Sequence, residues 1–322
     1  MRVDRPPKNR RRFLRLALGA VGASVAGRHG LLGTALAQTP AAALSETELR
    51  DGLVQIEGAG GNVLLLAASG GTAMVDSGAP SHASTLVAHV MKRLGGPPPA
   101  VLFNTHWHLD HTGANDAFAS AGTRIVAHEL TRLWMSTEYY VDWQDRTYEP
   151  RPAVALPTQT FYASDPQPLA LEAGDERIEY GHLREAHTDG DIYVFFRNRN
   201  VIAAGGAVAA GAYPVLDYAT GGWIGGLVDA TRKLLDLADG DTLFVPERGP
   251  AQPRTHVEAQ LQMLTAVRAR VEDLMRKGKS AAEMLEAGVT EEFDAAWGDN
   301  RERFVSNIYG GLWWQGRLDG SL

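Results

Sequence analysis

Four side chains that commonly bind divalent metals lie within six residues of one another: His106, His108, Asp110 and His111. They follow a short apolar run at residues 100–103 that is typical of a buried strand. Residues i and i+2 share a face of an extended chain, so the first two imidazoles can point together while the following turn brings the other two side chains inward. Buried, unpaired imidazoles are costly, and a divalent cation removes that cost. The segment therefore favours a metal site over a solvated polar loop.

The composition restricts what such a site can contain. The chain of 322 residues has no cysteine, which excludes disulfides and thiolate ligands and leaves imidazole and carboxylate as the metal donors. Hydrophobic residues make up 44% of the chain, enough for one large core in a globular α/β protein.

The N-terminus differs from the rest of the chain. Residues 1–37 carry eight Lys or Arg and one Asp, with adjacent arginines at 10–12, an Ala/Gly-rich apolar run at 16–36, and the small-residue end Ala35-Leu36-Ala37. This pattern predicts a twin-arginine signal peptide over 1–37 and export to the periplasm. The alternative is an uncleaved N-terminal membrane anchor.

Charge also bears on the partner. The whole chain carries −7 and residues 1–37 carry +7, so residues 38–322 carry −14. That balance argues against nucleic-acid binding and, once the signal is removed, nothing else in the sequence predicts membrane attachment. A small-molecule substrate is the expected partner.

Periodicity predicts an alternation of strands and helices. Residues 38–50 have the character of a polar lead-in, and 134–168, rich in proline and aromatic residues, are expected to form either a long lid beside the site or a packed surface loop. The predicted strands are 54–56, 63–66, 72–76, 100–103, 124–127, 177–183, 192–196, 200–204 and 242–245, and the predicted helices are 82–94, 115–120, 227–237, 256–276, 281–287 and 304–312.

The chain resembles the metallo-β-lactamase superfamily over nearly all of residues 50–322, and three motifs carry the resemblance. They are His-x-His-x-Asp-His at 106–111, Val-Asp-Ser-Gly at 75–78 and His-Thr-Asp-Gly-Asp at 187–191. The resemblance implies an α/β fold of the αββα sandwich type over 38–255, with 256–322 as a helical extension packed on the same domain. It also implies that His106, His108 and His187 hold a first zinc ion, and that Asp110 and His111 begin a second site.

Two positions depart from the family pattern. Gly206 stands where many relatives have an aspartate that bridges two metals, and Arg248 stands where they have a histidine. Neither side chain can bind a metal, so the second site is expected to be incomplete and the chain to hold one zinc.

The sequence leaves open which way the side chain of Arg248 points. If it points inward, it can hold Asp110 ionised or orient a substrate carboxylate. If it points outward, Glu247 or His256 could fill the gap.

Several other polar residues have structural interpretations. His128 and His182 are expected to be packed histidines, and Asp189 and Asp191 are expected to order the turn after residue 187. Asp217 is either a loop residue or one that approaches the site.

Two functions fit this sequence. The first is a zinc-dependent hydrolase of an ester, thioester, lactone or β-lactam, in which Asp110 orients the nucleophile or relays its proton. The second is a non-catalytic or vestigial periplasmic binding protein of the same fold, which the changes at Gly206 and Arg248 favour.

Overall fold

Two facing β-sheets dominate the structure, a computed structural model that describes residues 43–68, 70–162, 169–298 and 300–319. The predicted signal peptide lies outside these residues, so the export signal and its cleavage stay predictions. Within the described part of the chain, no helix combines the length and the apolar character that crossing a membrane requires.

The first sheet has seven strands in the order β1-β2-β3-β4-β5-β6-β9. Its first four strands form an antiparallel meander, and the last three run parallel to β4. The elements of this half are β1 Ser45–Arg50, β2 Leu53–Glu57, β3 Val63–Ala68, β4 Gly71–Val75, α1 Ala83–Arg93, β5 Val101–Phe103, α2 Leu109–Thr112, α3 Asn115–Ser120, β6 Arg124–His128, α4 Glu129–Ser136, β7 Tyr139–Val141, β8 Arg146–Tyr148 and β9 Gln159–Phe161.

The second sheet has six strands in the order β10-β11-β12-β13-β14-β15, in which β13 and β14 are the parallel pair. The elements of this half are β10 Leu169–Ala173, β11 Glu176–His182, β12 Ile192–Phe196, β13 Val201–Gly205, α5 Ile224–Leu237, β14 Leu243–Pro246, β15 Gln252–Pro253, α6 Arg254–Arg276, α7 Ala281–Glu286, α8 Asp294–Trp297 and α9 Arg301–Asp319.

Apolar side chains project from both faces of the sheets and are buried on each side. Leu64 and Leu66 of β3 point into a core shared with the second sheet, whereas Leu65 packs on the side covered by α1 and α3. Between the sheets, the rings of Phe103 and Tyr180 lie 5.0 Å apart. The layers are therefore helix, sheet, sheet and helix, which confirms the predicted αββα sandwich and explains why its strands have continuous rather than alternating apolar residues.

Helices cover the outer face of the second sheet. The buried side of α6 has residues three or four positions apart, as an amphipathic helix requires, among them Val267 and Val271. Phe304 and Ile308 of α9 belong to the same apolar cluster as Leu227 of α5. Most of the helical extension expected over 256–322 thus lies in these helices.

Two segments differ from the sequence-based expectation. The polar lead-in contains the strand β1, whose side chains are mostly exposed and which pairs with β2 at the edge of the first sheet. The segment 134–168 is neither only a lid nor only a loop, because β9 joins the first sheet while β7 and β8 pair with each other as a separate hairpin.

Candidate metal centre

The predicted site residues come from strand ends at one edge of the sandwich. The segment with His106 and His108 follows β5, and His187 lies in the connection from β11 to β12. Gly206 follows β13, and Glu247 follows β14. β13 and β14 are parallel and end at the same edge, and the β11–β12 connection lies there too because β12 runs antiparallel to β13. The segment after β5 in the facing sheet meets this edge, where the backbone N–H of Ile192 donates to the carbonyl of Thr105 at 2.8 Å.

Three imidazoles that are distant in sequence meet at this edge. Donor atoms of His106, His108 and His187 all lie within 4.8 Å of one another. Nε2 of His187 is 3.0 Å from Nδ1 of His108. Nε2 of His106 is buried and has no hydrogen-bond partner within the described residues. The structure thus brings together the three residues expected to form the first metal site.

The outer nitrogens of these rings have hydrogen-bond partners. Thr105 Oγ1 donates to Asp76, so it accepts from Nδ1 of His106 at 2.9 Å. Nδ1 of His187 donates to the carbonyl of Val215 at 2.7 Å. Nε2 of His108 donates to Oδ2 of Asp217 at 3.0 Å.

In neutral imidazole, one nitrogen donates and the other carries a lone pair. The inner nitrogens of the three rings therefore direct lone pairs at one another. A cation shared by the rings satisfies these lone pairs, so the residues present fit a metal ion.

Asp217 is a buried carboxylate that orients His108. It is 0% exposed, and besides the imidazole it accepts hydrogen bonds from Trp143 Nε1 and Thr220 Oγ1, both at 2.8 Å. Burial alone would raise the pKa of Asp217, but these hydrogen bonds, with that of His108 foremost, lower it. The sequence did not decide whether Asp217 approaches the site, and the structure shows that it contacts the candidate ligand His108.

A second cluster lies beside the first and centres on His111. Its Nδ1 lies 2.9 Å from Oδ2 of Asp76, while its buried Nε2 has no hydrogen-bond partner in the described structure and lies 3.6 Å from Oδ2 of Asp110. The guanidinium of Arg248 contacts Asp110 and also the carbonyl of Gly60. The ion pair expected for an inward Arg248 is present, although 58% of that side chain is exposed.

Glu247 reaches the centre of both clusters. Its Oε2 lies 3.9 Å from Nε2 of His106, 3.9 Å from Nε2 of His111 and 3.8 Å from Nε2 of His187. Sequence reasoning named Glu247 only as a residue that could fill a gap. His256 does not approach the site, because its Nε2 donates to the carbonyl of Ala209.

Charges within the site shift its pKa values in opposite directions. Burial lowers the pKa of His106 well below 6.5, and the neighbouring imidazoles lower it further. Burial also lowers the pKa of His111, but Asp110 and Asp76 outweigh it and raise the value to about 9. Burial raises the pKa of Asp110, whereas His111 and Arg248 bring it down to about 2. The carboxylate of Asp110 is therefore ionised at neutral pH.

The other candidates have structural contacts. Asp191 accepts hydrogen bonds from the backbone of His187 and Thr188, which orders that turn. Asp189 accepts from Trp134 at 2.7 Å. At Gly206, an added Cβ would lie 2.4 Å from the ring of His187, so the imidazole occupies the space next to this glycine.

A cavity of about 390 Å³ opens onto the candidate ligands. Trp143 and Tyr148 of the β7–β8 hairpin form part of its wall, and Arg146, Arg248 and Arg303 also line it. This is the size range of a small-molecule site.

Comparison with known proteins identifies the fold family. Residues 56–273 match the family model described as the metallo-beta-lactamase superfamily. A metallo-beta-lactamase from Pontibacter korlensis superposes with a TM-score of 0.55 and 18% identity, covering 69% of this chain and 99% of that one. The B3 metallo-beta-lactamase BLEG-1 gives a TM-score of 0.52 and 19% identity, covering 64% and 94%. At these identities the two structures support the fold alone.

A curated relative extends the comparison. The 2,4-dinitroanisole O-demethylase subunit alpha of Nocardioides sp. (strain JS1661) is 27% identical over 183 residues, 56% of this chain and 50% of that protein. The chain thus spans about half the length of this relative. Because the family model covers well over half of the chain, and the sandwich and the histidine cluster agree with it, the chain belongs to the metallo-beta-lactamase superfamily.

Proposed function

We propose that this protein is a zinc-dependent hydrolase of a small carbonyl substrate, such as an ester, thioester, lactone or β-lactam. The observation that carries the proposal is the convergence of three lone-pair nitrogens from His106, His108 and His187 below a cavity. Imidazole and carboxylate donors without thiolate suit zinc. When bound, zinc supplies Lewis acidity that polarises a carbonyl group and makes water a nucleophile near neutral pH.

Asp110 has the position and charge to accept a hydrogen bond from an attacking water. It lines the cavity and is ionised at neutral pH, since its pKa is about 2. Arg248 holds its Oδ2 on the side that faces His111. We infer that Asp110 orients the attacking water and relays its proton onward, while Arg248 fixes the carboxylate.

The β7–β8 hairpin supplies the substrate-facing wall. Trp143 is fixed by its hydrogen bond to Asp217, and the guanidinium of Arg146 lies 4.5 Å from the ring centre of Tyr148. Flat aromatic surfaces bury an apolar part of a substrate and exclude water from the reacting group. The hairpin therefore favours a substrate with an apolar or aromatic portion.

The test combines metal analysis with a substrate panel. Zinc-loaded protein should hydrolyse at least one ester, thioester, lactone or β-lactam, and chelation should abolish turnover until zinc is restored. Asp110→Asn should lower kcat by about 10²–10⁴-fold while the zinc at the three histidines is retained. Asp116→Asn, an exposed carboxylate on α3, is the matched control and should leave kcat unchanged.

A zinc-loaded protein that is silent across the panel would overturn the hydrolase and support the binding-protein alternative. An activated aryl methyl ether such as 2,4-dinitroanisole belongs in the panel as well. The O-demethylase subunit to which the chain is similar and the aromatic wall of Trp143 and Tyr148 both support ether cleavage as a second candidate reaction.

A further inference from the structure

The side chain of Glu247 lies close to three imidazoles without forming a hydrogen bond to any of them. Its Oε2 is 3.8–3.9 Å from three imidazole nitrogens, which is too long for a hydrogen bond. Metal bonds to imidazole and carboxylate are each about 2.0–2.2 Å, so two ligands of one metal lie roughly 3.3–4.1 Å apart as the angle between them opens. The spacing around Glu247 thus matches that of atoms that share a cation, which is either a metal ion or the proton that the carboxylate favours on His111 and His187.

The three nitrogens belong to different clusters. His106 and His187 are candidate ligands of the first site, whereas His111 belongs with Asp110. One carboxylate oxygen nearly equidistant from all three lies between the two clusters. That is the place of a bridging ligand.

Sheet register explains how a glutamate reaches this place. β13 and β14 run parallel with Gly205 paired to Pro246, so Gly206 and Glu247 are neighbours at the edge. The backbone N–H of Glu247 donates to the carbonyl of Gly205 at 2.9 Å. The glutamate side chain, which starts from the neighbouring strand, thus extends into the region where the carboxylate of an aspartate at position 206 would lie.

We propose that Glu247 bridges two metal positions and completes a second site with Asp110 and His111. The second site then has three protein ligands, the number typical of a zinc site that keeps an open position. This proposal builds on the metal site of the proposed function and replaces the expectation of one zinc per chain by two.

Arg248 makes the two sites unequal. Its guanidinium pairs with Asp110 and places a positive charge beside the second position. Repulsion between this cation and a metal weakens the second site relative to the first, where no guanidinium pairs with the three ligands in the described structure. We therefore expect one tight and one weaker equivalent of zinc.

The experiment measures metal content and needs no substrate. Metal-free full-length protein is titrated with Zn²⁺ by calorimetry, and the content after equilibrium dialysis is measured by mass spectrometry. The wild-type chain should bind two equivalents. Glu247→Gln, which keeps the size but removes the charge, should keep the tight equivalent and weaken the other at least about tenfold.

Two further variants control the result. Glu258→Gln changes an exposed glutamate on α6 and should still bind two equivalents. Arg248→Ala should tighten the weaker equivalent, because the competing charge is gone. One equivalent in the wild-type chain at saturating zinc, or a second equivalent in Glu247→Gln that binds as tightly as in the wild type, would overturn the proposal.

The outcome is separable from that of the hydrolase. A chain that turns over substrate with a single zinc leaves the proposed function standing and removes the second site. A chain with two zinc equivalents and no turnover on the whole panel does the reverse.

Discussion

Two clusters of buried and half-buried histidines in this protein differ in what their ring nitrogens contact. At the candidate metal centre, the inner nitrogens of His106 and His111 have no hydrogen-bond partner within the described residues. Elsewhere, His128 and His182 stack with their ring centres 3.8 Å apart. There, Nδ1 of His128 accepts from the backbone N–H of Leu130, and Nε2 of His182 donates to a backbone carbonyl.

Carboxylates account for the difference. At the candidate metal centre, the imidazoles are faced by three carboxylates, those of Asp76, Asp217 and Glu247. Their negative charges would balance the positive charge of a bound cation. At the stacked pair, burial lowers the pKa of His128 to about 3 and also lowers that of His182, so both rings are neutral. In this protein, the histidines that fit a metal site are those whose free nitrogens converge and that have carboxylates beside them.

Removal of one ring from each group gives the largest contrast. His108→Ala deletes a candidate ligand and the partner of Asp217, so zinc affinity should fall by at least about a thousandfold, or ~4 kcal/mol. His182→Ala should leave zinc affinity unchanged, because that ring contacts no candidate ligand. Competition with a chromophoric chelator measures both. Retention of wild-type affinity in His108→Ala would remove the basis for the three-histidine site.

Short-range spacing made half of the metal centre predictable. His106 and His108 share one short segment, and alternation along an extended chain places them together. The third candidate ligand, His187, followed only from a resemblance between motifs. The sandwich was predictable because apolar runs such as β3 mark strands buried on both faces.

The remaining residues of the site depend on strand pairing and loop structure that the sequence does not reveal. Glu247 reaches the centre because Gly205 pairs with Pro246, and no local pattern specifies the pairing of strands so distant in sequence. Asp217 lies in an irregular segment, where no periodic sequence pattern indicates which way a side chain points. The strand β1 was missed for another reason, since its exposed polar side chains carry no apolar signal.

A smaller contrast tests the carboxylate that orients a ligand. Asp217→Asn keeps the size of the side chain but removes the charge that favours the metal-binding form of His108, so zinc affinity should fall about 10–100-fold. Asp229→Asn, at an exposed position on α5, is the control and should bind zinc normally. The same chelator competition reports both constants. An unchanged affinity in Asp217→Asn would reduce this carboxylate to a structural contact.

The smallest effect concerns the stacked pair and the pH dependence of stability. Because the pKa of His128 is about 3 in the folded protein and about 6.5 unfolded, the unfolded chain binds more protons between these values. The free energy of unfolding therefore falls as the pH drops below about 6.5. A fully buried group would contribute about 2 kcal/mol between pH 7 and pH 5, and partial solvation reduces this to about 1 kcal/mol.

His128→Asn isolates this contribution, since asparagine does not titrate and can still accept the hydrogen bond from Leu130 at the start of α4. Urea unfolding of the metal-free protein at pH 7 and pH 5 should show a smaller acid-induced loss in the variant than in the wild type. Metal-free protein is needed because acid also protonates the candidate zinc ligands. An equal loss in both proteins would mean that His128 gains its proton without unfolding, and that the stacked pair is less different from the metal centre than its contacts indicate.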